Sequence, residues 1–143
     1  KRFHYVATQF RNRHEPNSRP AFVITDEYDV QDLLHSLLKV NFDDIRTEEN
    51  VPSFAGQNSR VDFLLKNEKT VIEVKKTRSN LKDKEIGRQL ILDVAYYKSN
   101  PDYKRLICFI YDPENLISNP RGLESDLERE STEEFIVEVY ITP

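Results

Sequence analysis

Cysteine is almost absent from this chain of 143 residues. Cys108 has no partner in the chain and sits in the apolar run L-I-C-F-I, so it is expected to be a buried small apolar residue in a reducing compartment, the cytoplasm. Zinc chemistry is excluded as well, because one cysteine cannot build a thiolate site and His4, His14 and His35 show no ligand spacing. Long apolar runs are missing. None approaches the ~20 residues needed to cross a bilayer, and the start has no charged, apolar and small pattern of a signal peptide, so no membrane is expected as a partner. Repeats and low-complexity segments are lacking too. A net charge of −4 argues against coating nucleic acid by bulk electrostatics. The chain opens on lysine rather than methionine, as expected of a fragment of a longer protein or a processed chain.

What is present suffices for one folded domain, with 38% hydrophobic residues, 7 Tyr and 8 Phe. Its charge is unevenly spread. Acidic residues dominate from Asp26 to Glu49, whereas Lys75, Lys76, Arg78, Lys82, Lys84 and Arg88 face only Asp83 and Glu85 over the segment that contains them.

Residues 1–20 interleave Lys1, Arg2, Arg11, Arg13 and Arg19 with Phe3, Tyr5 and Phe10, and are read as a linker or a basic arm preceding a domain at 21–143. Thr25 and Asp26 are N-cap residues for a helix in which Tyr28, Val30, Leu33, Leu34, Leu37 and Leu38 recur at helical spacing. Asp26, Glu27 and Asp29 crowd its first turn, where the helix dipole favours them. Residues 44–51 form an expected strand, followed by a loop containing Gly56. Ser79 or Asn80 caps a long helix with Ile86, Leu90, Val94 and Tyr97 on one stripe, widened by Ile91 and Ala95. Gln89, Asp93 and Tyr96 fall on another. R-L-I-C-F-I-Y-D reads as a central strand buried on both faces, Asn119-Pro120 opens a short charged helix, and F-I-V-E-V-Y-I-T closes the chain as a strand whose Glu138 faces partly outward. The fold class is therefore α/β, with a mixed sheet and helices on both sides.

The chemistry concentrates in R-V-D-F-L-L-K-N-E-K-T-V-I-E-V-K-K, two apolar runs joined by K-N-E-K. Each run carries a carboxylate, although acidic residues are depleted in strands and an unpaired buried charge costs several kcal/mol. Strand alternation puts Glu73 and Lys75 on one face and Ile72, Val74 and Lys76 on the other. A hairpin loop of two or four residues brings Asp62 to the face of Glu73. Two carboxylates there repel unless a cation lies between them, and Mg²⁺ accepts such a pair together with water and phosphate oxygens. Beside it, Lys75 offers a compact charge to a phosphate under attack. Together these are parts of a phosphodiester hydrolase.

At these residues the sequence resembles the PD-(D/E)XK nuclease superfamily, through Asp62 and the Glu73-Val74-Lys75 tripeptide. T-D-E-Y-D-V-Q-D-L-L-H-S-L-L, P-S-F-A-G-Q-N-S-R-V-D-F-L-L, I-E-V-K-K-T-R and F-I-Y-D-P-E are similar to the DpnII/MboI-like restriction-endonuclease domains; Val61 stands where that family has proline, a position that supplies no ligand. The resemblance implies a restriction-endonuclease-like fold of core order α-β-β-β-α-β. It also implies a Mg²⁺ or Mn²⁺ ion held by Asp62, Glu73 and the Val74 carbonyl, with Lys75 as the catalytic lysine and auxiliary roles for Glu27 and Gln89. Arg60, Arg78, Lys82, Lys84 and Arg88 are candidate backbone contacts. The expected activity is DNA cleavage as the effector of a prokaryotic defence or restriction system. The alternatives are RNA cleavage, or an inactive nuclease-like module that binds nucleic acid or protein. Expected partners are nucleic acid, further domains of a longer protein and a second copy of the chain.

Overall fold

The computed structural model describes residues 2–12, 14, 19–47, 50–51, 59–81 and 83–143. The loop at 52–58, with Gly56, and Lys82 lie outside the described residues.

Residues 1–20, read from the sequence as a linker or a basic arm, begin with a helix, α1 (Phe3–Arg11). Phe3 and Ala7, one helical turn apart, are buried, and Phe3 packs edge-on against Phe109 and Tyr111 with ring centroids 5.0 and 5.4 Å away. The apolar residues among the arginines form an anchoring face, which charge counting obscures.

Helix α2 (Glu27–Leu38) starts as expected at Asp26, whose side chain accepts from the Asp29 N–H while Asp29 accepts from the Asp26 N–H. Val30 and Leu33 enter the core. Tyr28 does not: it is 69% exposed. Spacings of three, four and seven residues place it in one lane with Gln31, Asp32 and His35, away from the Val30–Leu33 stripe.

The strand expected over 44–51 divides. Its first part, β1 (Ile45–Thr47), joins the main sheet, and its second, β2 (Asn50–Val51), pairs antiparallel with β3 (Ser59–Arg60) in a separate ribbon. The hairpin forms as expected, from β4 (Phe63–Leu65) and β5 (Thr70–Lys76). Its loop is Lys66-Asn67-Glu68-Lys69, closed by the Lys69 N–H to the Lys66 carbonyl at 3.2 Å, with Lys69 at φ 50°. Phe63 lies opposite Ile72 and Leu65 opposite Thr70.

Helix α3 (Asp83–Lys98) begins later than Ser79 or Asn80. Arg78 and Leu81 first exchange backbone hydrogen bonds of 3.2 and 2.9 Å, a turn that delivers Leu81 to the core before the helix starts. Ile86, Leu90, Val94 and Tyr97 are at most 1% exposed, as their spacing predicts. Ile91 is 49% exposed and Ala95 is also exposed, so neither widens the stripe. The helix meets its neighbours along a narrow line, and an added Cβ at Gly87 would stand 3.3 Å from Leu123.

Strand β6 (Arg105–Tyr111) runs parallel to β5 and to the last strand, β7 (Ile136–Thr142), with α3 and then α4 (Pro120–Glu128) as crossovers. Asn119 caps α4 through the Gly122 N–H. The five-stranded sheet has the order β1-β4-β5-β6-β7 and is mixed, as expected. Side chains from α3 and α4 pack one face, with Leu64, Val71, Leu106 and Cys108; those from α1 and α2 pack the other, with Phe63, Ile72, Val74 and Phe109. Each fully buried aliphatic side chain contributes about 1.5–3 kcal/mol. Burial also pushes the Cys108 thiol well above its ordinary range, in keeping with an inert packing role. Among the described residues no helix is long and apolar enough to cross a membrane.

Candidate active site

The site arises where the hairpin opens. Pairing of β4 with β5 ends at Phe63 and Ile72, yet β5 continues to Lys76. Val74 and Lys76, two residues apart and therefore on one strand edge, continue past the last β4 pair. Carboxylates receive their N–H groups. Asp62 Oδ2 accepts from Val74 at 2.7 Å, and Glu27 Oε2, from the first turn of α2, accepts from Lys76 at 3.1 Å. This accounts for an aspartate at the end of an apolar strand: its side chain substitutes for the departed neighbour's backbone. The Val74 carbonyl shares the edge of the Val74 N–H, facing the same opening.

Asp62 is fixed from the other side by Gln31, whose Nε2 donates to Oδ1 at 2.9 Å. Extending the register by one residue sets Asp62 opposite Glu73, as the four-residue loop requires. Glu73 is 4% exposed and accepts from the Tyr97 hydroxyl through Oε1 at 2.5 Å. Its Oε2 lies 3.8 Å from Lys75 Nζ, which is 3.9 Å from Glu27 Oε1.

This arrangement carries excess negative charge. Burial, then Asp62 and Asp93, pushes Glu73 up to about 8, against the opposing pull of Lys75 and Tyr97. Burial likewise raises Asp62, opposed by the Val74 N–H and Lys75, and raises Asp93 to about 6. For Lys75, burial favours the neutral amine, but Glu27, Glu73, Asp62 and Asp93 outweigh it and hold the pKa above the ordinary lysine value. Lys75 therefore stays an ammonium. Four carboxylates act on one ammonium here among the described residues, a balance that favours a further cation.

Asp62, Glu73 and the Val74 carbonyl are hard oxygen donors suited to Mg²⁺ or Mn²⁺. No group of three or more His, Cys, Asp or Glu side chains among the described residues is arranged to hold a metal ion. A cation here would accordingly keep much of its shell for water and phosphate, as Mg²⁺ commonly does.

Of the residues singled out from the sequence, Asp62, Glu73, Lys75, Glu27 and the Val74 backbone are brought together. Gln89 is placed otherwise: its Nε2 donates to Glu85 at 3.0 Å, one turn before Asp93. Arg88 is exposed and also pairs with Glu85, at 2.8 Å, and Lys84 is exposed. Arg78 lines a cleft with Thr25, Asp26, Glu27, Tyr28, Lys76 and Thr77, and Arg60 lies in β3. Sequence reasoning missed Gln31, Asp93 and Tyr97 as site residues. Gln31 follows Glu27 by four, and Asp93 and Tyr97 are four apart on α3, so helical spacing was the available signal.

The cleft floor is braced from below. Buried Asp112, at the end of β6, accepts from Thr77 Oγ1 at 2.7 Å and from the N–H groups of Leu116 and Ile117 at 2.8 and 3.1 Å. That ties the segment after Lys75-Lys76 to the centre of the sheet.

No curated protein and no solved structure matches the chain. The family model described as REase_DpnII-MboI, however, matches residues 1–143. A mixed sheet between two helical layers, with an acidic residue and an E-x-K tripeptide meeting at its opened hairpin, accompanies that match, and the chain belongs to the DpnII-MboI restriction-endonuclease family, of the PD-(D/E)XK type.

Proposed function

We propose that this chain is a divalent-metal-dependent endonuclease that hydrolyses phosphodiester bonds in DNA, and that Asp62, Glu73 and Lys75 carry the reaction. The observation that carries this reading is the convergence of both carboxylates and the ammonium on the opened edge of β5. Family membership supports nuclease activity; the metal, the DNA substrate and a place in a defence or restriction system are the finer parts of the proposal.

A bound Mg²⁺ would polarise a phosphate oxygen and make a water more acidic, with Asp62, Glu73 and the Val74 carbonyl holding the ion. The chain's own residues do the positioning. Val74 N–H and Gln31 restrict Asp62, while the Tyr97 hydroxyl turns Glu73 so that Oε2 faces Lys75. Glu27, anchored by the Lys76 N–H, helps keep Lys75 charged and confines its ammonium to the opening. There Lys75 meets negative charge developing on the phosphate, an interaction that strengthens in the transition state.

The test is incubation with plasmid, single-stranded DNA and RNA in Mg²⁺, Mn²⁺ or chelator. Cleavage of DNA that chelation abolishes is expected. Binding without cleavage under every metal condition would replace this reading with that of a nuclease-like binding module, and cleavage confined to RNA would overturn the substrate assignment.

A further inference from the structure

Tyr28 exposes 69% of its surface beside the candidate active site. It follows Glu27, which accepts from the Lys76 N–H and faces the Lys75 ammonium, and precedes by three residues Gln31, which holds Asp62. Two concavities share it as a lining residue. The larger, about 440 Å³, is lined by Thr25–Tyr28 on one wall and by Lys76, Thr77 and Arg78 on the other. The smaller, about 200 Å³, has Gln31, His35, Asp62 and Phe63 among its lining residues.

The carboxylates of the larger cleft have protein partners. Asp26 Oδ1 accepts from the Asp29 N–H at 3.1 Å, and Glu27 is engaged by Lys76 N–H and Lys75. The Thr77 hydroxyl is committed to Asp112. The opposite wall offers the Lys76 ammonium, 3.4 Å from the Thr77 carbonyl, and the exposed Arg78 guanidinium. Lys76 and Arg78 thus stand across from Tyr28 in a space whose acidic side chains, Asp26 and Glu27, each accept a backbone N–H.

The geometry points to this cleft as the seat of the nucleotide next to the scissile phosphate, with its phosphate against Lys76 and Arg78 and its unpaired base stacked on Tyr28. This rests on the nuclease reading above and narrows it. A cleft of about 440 Å³ is of the size that takes a small-molecule-sized ligand. Within a duplex, neighbouring bases cover both faces of each base, so a tyrosine can stack only on a base that is single-stranded or extruded. The substrate class is accordingly DNA with an unpaired nucleotide beside the cut.

The probe is a set of short single-stranded DNA oligonucleotides carrying the fluorescent base 2-aminopurine at successive positions, titrated in chelator so that binding is read without cleavage. Wild type should quench the label at one position. Tyr28→Leu should lose that quenching and about 5- to 150-fold in affinity, the size of one base–aromatic stack, while Tyr28→Phe retains both. Because the ring is exposed, the thermal midpoint of Tyr28→Leu should match wild type and establish that the variant is folded. Arg78→Ala should keep the quenching but flatten the dependence of log affinity on log salt by about 0.7, the value for one phosphate contact on a single strand. If wild type cleaves DNA and Tyr28→Leu binds and quenches as wild type does, the stacking assignment is wrong and the nuclease reading stands. If Arg78→Ala alone weakens binding, the cleft holds phosphate without base and the proposal is overturned. A folded wild type that neither binds nor cleaves any nucleic acid, with or without Mg²⁺ or Mn²⁺, removes both readings.

Discussion

Glu73→Gln should stabilise the metal-free protein at mildly basic pH while abolishing cleavage. Burial first, and Asp62 and Asp93 next, raise Glu73 from the ordinary glutamate value of 4.5 to about 8. Below pH 4.5 the folded and unfolded chains both carry this proton, and above about 8 neither does; between the two, only the folded chain carries it. The contribution of Glu73 to stability is therefore complete below the unfolded value and is lost as pH rises through the folded one. At about 1.4 kcal/mol per pH unit the loss has a ceiling of about 5 kcal/mol, a large share of the 5–15 kcal/mol typical of a domain. Glutamine keeps the shape and an acceptor for the Tyr97 hydroxyl without the charge. Urea denaturation in chelator, repeated from about pH 5 to about pH 8, should show wild type losing several kcal/mol more than Glu73→Gln. Asp93, raised to about 6, adds a slope of the same sign to both proteins, so the difference between them reports Glu73 together with its coupling to Asp93. Mg²⁺ should stabilise wild type more near pH 8 than near pH 6, since it competes with the proton for the same oxygens. Equal pH slopes for the two proteins would refute the claim that Glu73 bears this charge stress.

Tyr97→Phe keeps the buried ring but removes the donor to Glu73, so the Mg²⁺ concentration for half-maximal cleavage should rise about 10- to 100-fold, the scale for losing a partner of a metal ligand; an unchanged requirement would make Tyr97 a packing residue. Replacing Lys82, Lys84 and Arg88 together by alanine should weaken binding to all DNA sequences alike and make its salt dependence shallower, and unchanged affinity and slope would return them to solvated surface charge. Asp112→Ala leaves the Leu116 and Ile117 N–H groups without their acceptor and should cost about 2–5 kcal/mol in denaturant unfolding, with Asp112→Asn recovering part; a loss under 1 kcal/mol would contradict the bracing role.

Much of the site was legible because it depends on local parity. K-N-E-K is a four-residue loop, so Asp62 had to fall opposite Glu73, and alternation separated Lys75 from Lys76 before any fold was known. The stripe from Ile86 to Tyr97 and the buried run around Cys108 were similarly specified by one element's own period. What escaped depends on where an element's neighbours stop. Tyr28 and Ile91 have apolar spacing compatible with burial, but α2 and α3 meet the sheet along narrower stripes than the sequence pattern allowed. Helical spacing alone did not single out Gln31, Tyr97 and Asp93, because Gln31 and Tyr97 bond to Asp62 and Glu73, and Asp93 acts on both by charge, across long sequence separations. The N-terminal helix was hidden by the arginines at its two ends, Arg2 and Arg11, whose charge masks the short apolar face on which Phe3 and Ala7 anchor the segment.

The central claim is that the opened edge of β5 assembles a phosphodiester-cleaving centre in which position, not charge alone, makes Lys75 catalytic. Single-turnover plasmid cleavage at saturating Mg²⁺, comparing wild type with Lys75→Ala and Lys76→Ala, tests it most directly. The two lysines are adjacent and chemically identical, but the Lys75 ammonium lies 3.8 Å from Glu73 Oε2, whereas Lys76 lines the cleft beside α2. With enzyme saturating the DNA, Lys75→Ala should cleave at least about 10²-fold more slowly with binding little changed, and Lys76→Ala should stay within a few-fold of wild type in rate, its loss appearing in binding. Equal, large losses of rate from both variants would contradict the account.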